Sequence, residues 1–156
     1  MGITLQFYSA GVDQMFDAVF DVDFEVLEKA QIPGRFADLS LHLTPDDLNY
    51  LSRELCVAAG LEPVGLRDYL DTDGEFVNEP DRGAFQVHPD WVSFVSQVDD
   101  AAVPDLVNKW FEAMRVEYGD AEIQVSEEAI AGVLDLVRVC KESRRVGSSV
   151  VHVWFA

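Results

Sequence analysis

Two of the three histidines in the chain, His42 and His152, lie in segments where apolar and polar residues alternate. Successive side chains of a strand point to opposite faces, so these segments predict one core face and one polar face. Histidine titrates near neutral pH and often serves as a general acid or base, while aromatic side chains add apolar walls with polar handles. The pattern therefore predicts a ligand face on a sheet, formed by Gln6, Tyr8, His42, His152 and Trp154.

The last of these segments also leaves a structural interpretation open. Trp154 suits a core position as well as Phe155 does, and a shift of the register by one residue would reverse the face. A helix or loop would then cover the histidines, and their polar atoms would be satisfied inside the protein. The sequence favours this structural interpretation over a ligand site.

No other motif has the spacing that a known chemistry requires. Asp71–Glu75 looks like part of a calcium loop, but the first and last loop positions hold Tyr69 and Pro80 instead of ligating carboxylates. No metal-ligand spacing, phosphate loop or nucleophile elbow is present. Cys56 and Cys140 fall on apolar helical stripes, which is typical of buried free thiols. We therefore expect no metal and no cofactor, and the sequence favours a protein that is not an enzyme.

The elements that would position the candidate residues follow from periodicity and helix caps. Thr44, followed by Pro45 and Asp47, marks the clearest helix start. Alternation predicts strands at residues 2–8, 38–43 and 149–155, and apolar spacing of three and four predicts helices at 12–29, 45–58, 103–117 and 127–145. A short strand is further expected at 84–87, a short helix at 66–70 and another helix from Pro89 onward.

The order of these elements predicts an α+β fold. A chain of 156 residues that is 49% hydrophobic can build one core, and it contains no repeat or linker. We expect residues 1–156 to form a single globular domain. Its small, mostly antiparallel or mixed sheet would combine N-terminal, middle and C-terminal strands, packed by about four to five helices.

Acidic residues dominate the charge of the chain, which is −18 in total. Residues 1–100 carry 20 acidic and 5 basic side chains, whereas residues 101–156 carry 9 and 6. This balance argues against binding to nucleic acid or to an anionic membrane, since both need basic residues. The acidity suits either a basic protein partner or, more simply, solubility and adaptation to salt.

Three hypotheses for function follow. The leading one is a small acidic protein that binds other proteins, for example an antagonist that covers a basic partner. The alternative is a small ligand-binding domain or enzyme that uses the His42 and His152 face, and the third is a domain whose acidity is only environmental. The free thiols and the first ten residues, which lack the features of a signal peptide, lead us to expect a cytoplasmic protein. The sequence specifies no oligomeric state.

Overall fold

One antiparallel sheet organises the chain. The computed structural model describes residues 2–156, and its five strands occur in the spatial order β2-β1-β5-β4-β3. The strands are β1 (Thr4–Ala10), β2 (Phe36–Asp38), β3 (Val77–Glu79), β4 (Arg82–Gln86) and β5 (Ser149–Phe155). The fold is therefore α+β, with strands from the N-terminal, middle and C-terminal parts of the chain, as the sequence predicts.

Helices cover both faces of this sheet. Two helices pack on the face of Tyr8, Val151 and Val153, and four pack on the face of Leu5 and Phe7. The first pair is α1 (Val12–Phe20) and α2 (Phe24–Ala30), and the other four are α3 (Asp47–Ala58), α4 (Pro89–Val95), α5 (Val103–Tyr118) and α6 (Glu127–Val146). Within residues 2–156, every helix is too short or too polar to cross a lipid bilayer.

The central strand β5 is buried on both faces. It pairs with β1 on one side and with β4 on the other, and Val150, Val151, His152 and Val153 are all buried. A strand covered on both faces places every side chain in the core, whichever way that side chain points. Its alternation of polar and apolar residues therefore does not mark a solvent face.

The predicted strand at 38–43 is wrong, because β2 ends at Asp38. The Asp38 carboxylate accepts a hydrogen bond from the Ser40 N–H at 2.8 Å, and the Ser40 hydroxyl accepts one from the Leu5 N–H at 2.9 Å. Two side chains thus take over bonds that backbone groups would make in a longer strand. The chain turns away after Leu39, and His42 adopts a left-handed conformation with φ of 60°.

The predicted helix at 12–29 consists of two helices, separated at Val22. The N–H groups of Val22 and Asp23 donate to the carbonyls of Val19 and Ala18 at 3.2 and 2.8 Å, which is the Schellman arrangement of a helix C-terminus. The Asp23 side chain then caps α2 by accepting from the Val26 N–H. Asp23 is a helix-start signal that the sequence interpretation overlooked.

The other helix predictions are confirmed to within two residues at each end. The Asp47 carboxylate accepts hydrogen bonds from the N–H and hydroxyl of Thr44 at 2.8 and 3.2 Å, so the predicted start of α3 carries half of a capping box. The short helix at Leu66–Tyr69 and the helix from Pro89 are also present. The sequence interpretation missed β3, and it began β4 two residues late.

Candidate functional site

The five predicted site residues do not share one face of the sheet. In the register of β1 and β5, Trp154 lies opposite Leu5 and His152 lies opposite Phe7. His152 and Trp154 therefore point toward the core of α3 to α6. Gln6 and Tyr8 occupy the alternate positions and point the other way. The prediction of one face was wrong because β5 is buried on both sides and was assigned the opposite orientation.

Tyr8 is a satisfied core residue beneath the other helical layer. Its hydroxyl donates to the side-chain oxygen of Gln6 at 2.8 Å and accepts from the side-chain amide of Gln31 at 3.2 Å. The ring packs against Phe36, with 5.1 Å between ring centroids. Burial raises the pKa of Tyr8 above its ordinary value. This side chain and that of Gln6 thus support the sheet from the side opposite His152.

His42 is exposed and lines a different cleft, with a volume of about 730 Å³. Asp47 and Tyr118 also line this cleft, where the Tyr118 hydroxyl donates to the Asp47 carboxylate. That hydrogen bond is the main cause of a raised pKa for Tyr118. The polar groups of Asp47 are occupied by Thr44 and Tyr118. The Asp47 carboxylate is therefore already engaged within the protein and is not available to a ligand.

The strongest candidate site is a second cleft, of about 300 Å³, over the β4 and β5 half of the sheet. Phe85, His152 and Trp154 come from the strands and form its floor, because β4 pairs Phe85 with His152. The start of α3 and the turn after Gly65 form its walls. The lining residues are Pro45, Asp46, Asn49, Leu66, Arg67, Leu70, Thr72, Asn78, Phe85, His152 and Trp154.

His152 is the most unusual residue of this cleft. It is only 2% exposed, and its ring stacks on Phe7 with 4.6 Å between ring centroids. Its Nδ1 lies 3.0 Å from the Gln6 carbonyl oxygen. A carbonyl oxygen only accepts, so Nδ1 carries the proton and Nε2 is left with a lone pair. Burial lowers the pKa of His152 to about 4, and the bond to Gln6 opposes this only in part, so the ring is neutral at pH 7.

The Nε2 atom of His152 has no hydrogen-bond partner among residues 2–156. Every fully buried side-chain nitrogen or oxygen in this part of the chain does have a partner. Nε2 is therefore not fully enclosed, and the opening available to it is the cleft that His152 lines. The site thus presents one fixed hydrogen-bond acceptor at the bottom of an aromatic floor.

Trp154 lies against Gly83 of the neighbouring strand. A Cβ atom at Gly83 would come within 2.1 Å of the Trp154 Nε1, so only glycine permits this approach. The indole is partly exposed, and no described residue accepts from its N–H. Phe85 extends the floor outward by stacking on Phe76, at 5.5 Å and 15°. Aromatic side chains of this kind offer apolar faces on which a planar ligand can stack.

The rim of the cleft is polar but carries no net charge. The Arg67 guanidinium pairs with the Asp46 carboxylate at 2.9 Å, and the Arg67 N–H donates to Asn49 at 3.0 Å. Thr72 and Asn78 are exposed at the opposite edge, and their side chains make no hydrogen bond to any described residue. No group of metal-ligating side chains occurs among the described residues. The arrangement can stack a flat ring and exchange hydrogen bonds with it.

Of the lining residues, the sequence identified only His152 and Trp154 as site candidates. The remainder fall mainly in the segment at 61–84, which lacks periodicity apart from the short helix predicted at 66–70. One available signal was Gly83, because a glycine within a strand often marks the close approach of another group. Pairing across β4 and β5 was the missing information, and no local pattern supplies it.

No protein-family model matches the chain, and no curated protein matches it in sequence. Among solved structures, the chain is similar to the crystal structure of YfbM from Escherichia coli, which is described as a protein of unknown function. The two share 13% sequence identity with a TM-score of 0.44, over 98% of this chain and 99% of that chain. Any assignment of function therefore depends on the chemistry of the chain itself.

Proposed function

We propose that the chain binds a small, neutral, planar molecule in the cleft floored by Phe85, His152 and Trp154. The observation that carries this proposal is the unpartnered Nε2 of the buried His152. Nε2 is not fully enclosed, so in the free protein it hydrogen-bonds to water in the cleft. A ligand that donates a hydrogen bond to Nε2 while its ring lies on Trp154 would replace that water and bury apolar surface.

The charges around the cleft disfavour an anionic ligand, and the one carboxylate among its described lining residues, Asp46, is already paired and so offers no free partner to a cation. Arg67 is already paired with Asp46 and accepts no further anion without losing that partner. Acidic residues are abundant nearby, at Asp71, Asp73 and Glu75, so an anionic ligand would be repelled. The volume of about 300 Å³ lies at the small end of ligand sites and suits a compound of one or two rings.

Binding without turnover fits the chemistry of His152 best. Efficient general bases have a pKa near the working pH, whereas the pKa of His152 is lowered to about 4. The ring is also fixed between Phe7 and the Gln6 carbonyl. No serine or cysteine lines the cleft as a nucleophile. His152 therefore serves as a fixed acceptor that selects ligands carrying an N–H or O–H donor.

A fragment screen by NMR tests this function. The probes are neutral nitrogen heterocycles of one or two rings that carry an N–H donor, and the readout is the three indole N–H signals. We expect binders to shift the signal of Trp154. The indoles of Trp91 and Trp110 should not move, since they donate to Ser52 and to the Asp47 carbonyl inside the core.

Two matched histidine variants complete the test. In His152→Asn the amide N–H replaces Nδ1–H and keeps the bond to Gln6, but the acceptor Nε2 is lost, so binding should fall about tenfold or more. His42→Asn changes an exposed histidine of the other cleft and should leave binding unchanged. The proposal would be wrong if compounds bound His152→Asn as tightly as the wild type. It would also be wrong if they shifted only the NMR signals of residues around His42.

A further inference from the structure

We propose that the turn between α1 and α2 is a docking surface for a basic protein segment that carries apolar side chains. The surface consists of Phe20, Val22 and Phe24, which are 58%, 40% and 56% exposed. Phe24 also packs on the partly buried Phe155 at the end of β5, at 5.4 Å. Three large exposed apolar side chains thus lie within five residues of the chain, and clustered exposed apolar residues mark an interaction site more often than single ones do.

This surface is held rigidly although it lies on a turn. The Arg82 guanidinium donates to the carbonyls of Val19 and Phe20, each at 3.0 Å, and so caps the end of α1. The same guanidinium lies 6.0 Å from the Phe20 ring. Asp23 caps the start of α2. A partner would therefore not need to order the turn, which lowers the entropic cost of binding.

The charge around the patch specifies the chemistry of the partner. Residues 12–30 and 71–82, which meet where Arg82 bonds to α1, carry eleven acidic and two basic side chains. Both basic residues are already paired, Lys29 with Glu25 and Arg82 with Asp81. Asp21 and Asp23 lie within the turn itself, and Asp81 adjoins it through Arg82, so acidic charge borders the apolar surface. The negative electrostatic potential of these acidic residues attracts lysine and arginine side chains and raises the association rate of a basic partner.

The same charge disfavours a second copy of the chain as the occupant. Two copies that met through Phe20 and Phe24 would bring their acidic regions together, and like charges placed opposite each other cost several kcal/mol. A basic partner instead neutralises these charges while its apolar side chains cover the rings. Aromatic residues are enriched at the centre of protein interfaces, and a polar, solvent-accessible rim surrounds them.

Selection from a phage-displayed library of random peptides tests this inference. The wild-type protein is immobilised, and enriched peptides should combine lysine or arginine with leucine, phenylalanine or tryptophan. Their affinity should fall about tenfold or more in Phe24→Ser, because aromatic anchors dominate such contacts. Binding should also weaken as salt rises from 0.05 to 0.5 M, since exposed charges are screened.

Two control variants make the outcome decisive. Val116→Ser changes a side chain that is 75% exposed on α5, on the other face of the molecule, and should not affect peptide binding. His152→Asn should not affect it either, so failure of this inference is separate from failure of the ligand site. No enrichment, peptides without basic residues, or binding that Phe24→Ser leaves intact would each overturn the inference. A wild-type dimer in sedimentation equilibrium that Phe24→Ser dissociates would also overturn it.

Discussion

At the scale of single residues, Gly83 determines how the floor of the ligand cleft is built. Trp154 occupies the space that a Cβ atom at Gly83 would need, with a separation of only 2.1 Å. We predict that Gly83→Ala displaces the indole and destabilises the protein by about 1–3 kcal/mol, the usual cost of overpacking. Urea denaturation and the wavelength of tryptophan emission measure these effects. Gly11→Ala is the control, because nothing lies near its added Cβ, and equal effects in the two variants would contradict the prediction.

His152 should make stability depend on pH in the acid range. Its pKa is about 4 in the folded protein and near 6.5 when solvated, so the unfolded chain binds the proton more strongly. The contribution is fully present above pH 6.5 and is lost as the pH falls toward 4, by about 3 kcal/mol in total. Urea denaturation between pH 7 and pH 4 should show this loss in the wild type.

The free energy of unfolding of His152→Asn, subtracted from that of the wild type at each pH, isolates this effect. The titrating carboxylates are common to both proteins, so their contribution cancels. The difference in the free energy of unfolding between the two proteins should change by about 1.4 kcal/mol per pH unit below pH 6. If the free energy of unfolding changed with pH in the same way in both proteins, then His152 would be accessible to protons in the folded state. This result would also weaken the case for a fixed neutral acceptor.

The sequence located part of the site because residue type carries chemical information. His152 and Trp154 were identified by their chemistry, and both line the cleft. Gln6 and Tyr8 were assigned to the same face because strand alternation was assumed to separate core from solvent. That assumption fails in a strand that is covered on both sides. The side of the sheet to which each side chain points then depends on the register with strands that are distant in sequence. His42 was misplaced because the side chains of Asp38 and Ser40 accept hydrogen bonds from backbone N–H groups and so end the strand early.

At the scale of elements, the junction of α1 and α2 contains a strained residue. Val22 has φ of 55°, a conformation that is unfavourable for a β-branched residue and costs about 1–3 kcal/mol. The ends of α5 and α6 place glycine at the equivalent position, at Gly119 and Gly147. We predict that Val22→Gly stabilises the protein by about 1 kcal/mol, since relief of strain exceeds the added flexibility of the unfolded chain. Thermal unfolding measures this change.

The opposite substitution provides the control for this junction. Gly147→Val introduces a β-branched residue at φ of 71° and should destabilise the protein by about 1–3 kcal/mol. If Val22→Gly lowers the melting temperature, then apolar contacts of Val22 outweigh its backbone strain. Helix boundaries elsewhere were predictable because their signals are local, such as the bond from the Thr44 N–H to Asp47 and the cap at Ser126. The boundary between α1 and α2 at Val22 was not predictable from the sequence, because no glycine occupies the left-handed position there.

At the scale of the whole molecule, the excess of acidic residues should limit stability at low salt. Only eight of the 29 acidic side chains pair with lysine or arginine in the described part of the chain. The Debye length falls from about 30 Å at 0.01 M salt to about 8 Å at 0.15 M, so added salt screens the repulsion. We predict that the melting temperature rises by about 2–4 °C over this range, which corresponds to about 1 kcal/mol.

A charge variant serves as the control for the salt effect. Asp17→Asn combined with Asp21→Asn removes two acidic charges, one on α1 and one just after its end, that have no basic partner among residues 2–156. This variant should be more stable than the wild type at 0.01 M salt and should respond less to added salt. A melting temperature that is constant or falls in the wild type would show that the acidic charges are already compensated locally.

The sheet topology predicts that residues 2–156 unfold as one cooperative unit. β1 and β5 lie near the two ends of the sequence, yet they pair with each other in the middle of the sheet, and both helical layers pack on them. Loss of either layer would expose these central strands, so no part should unfold alone. Urea titration of protein labelled with 5-fluorotryptophan reports on Trp91, Trp110 and Trp154 separately. All three fluorine signals should change at the same urea concentration. An earlier transition at Trp154 would show that the sheet edge formed by β3 and β4 unfolds separately. The prediction of a single domain would then be wrong.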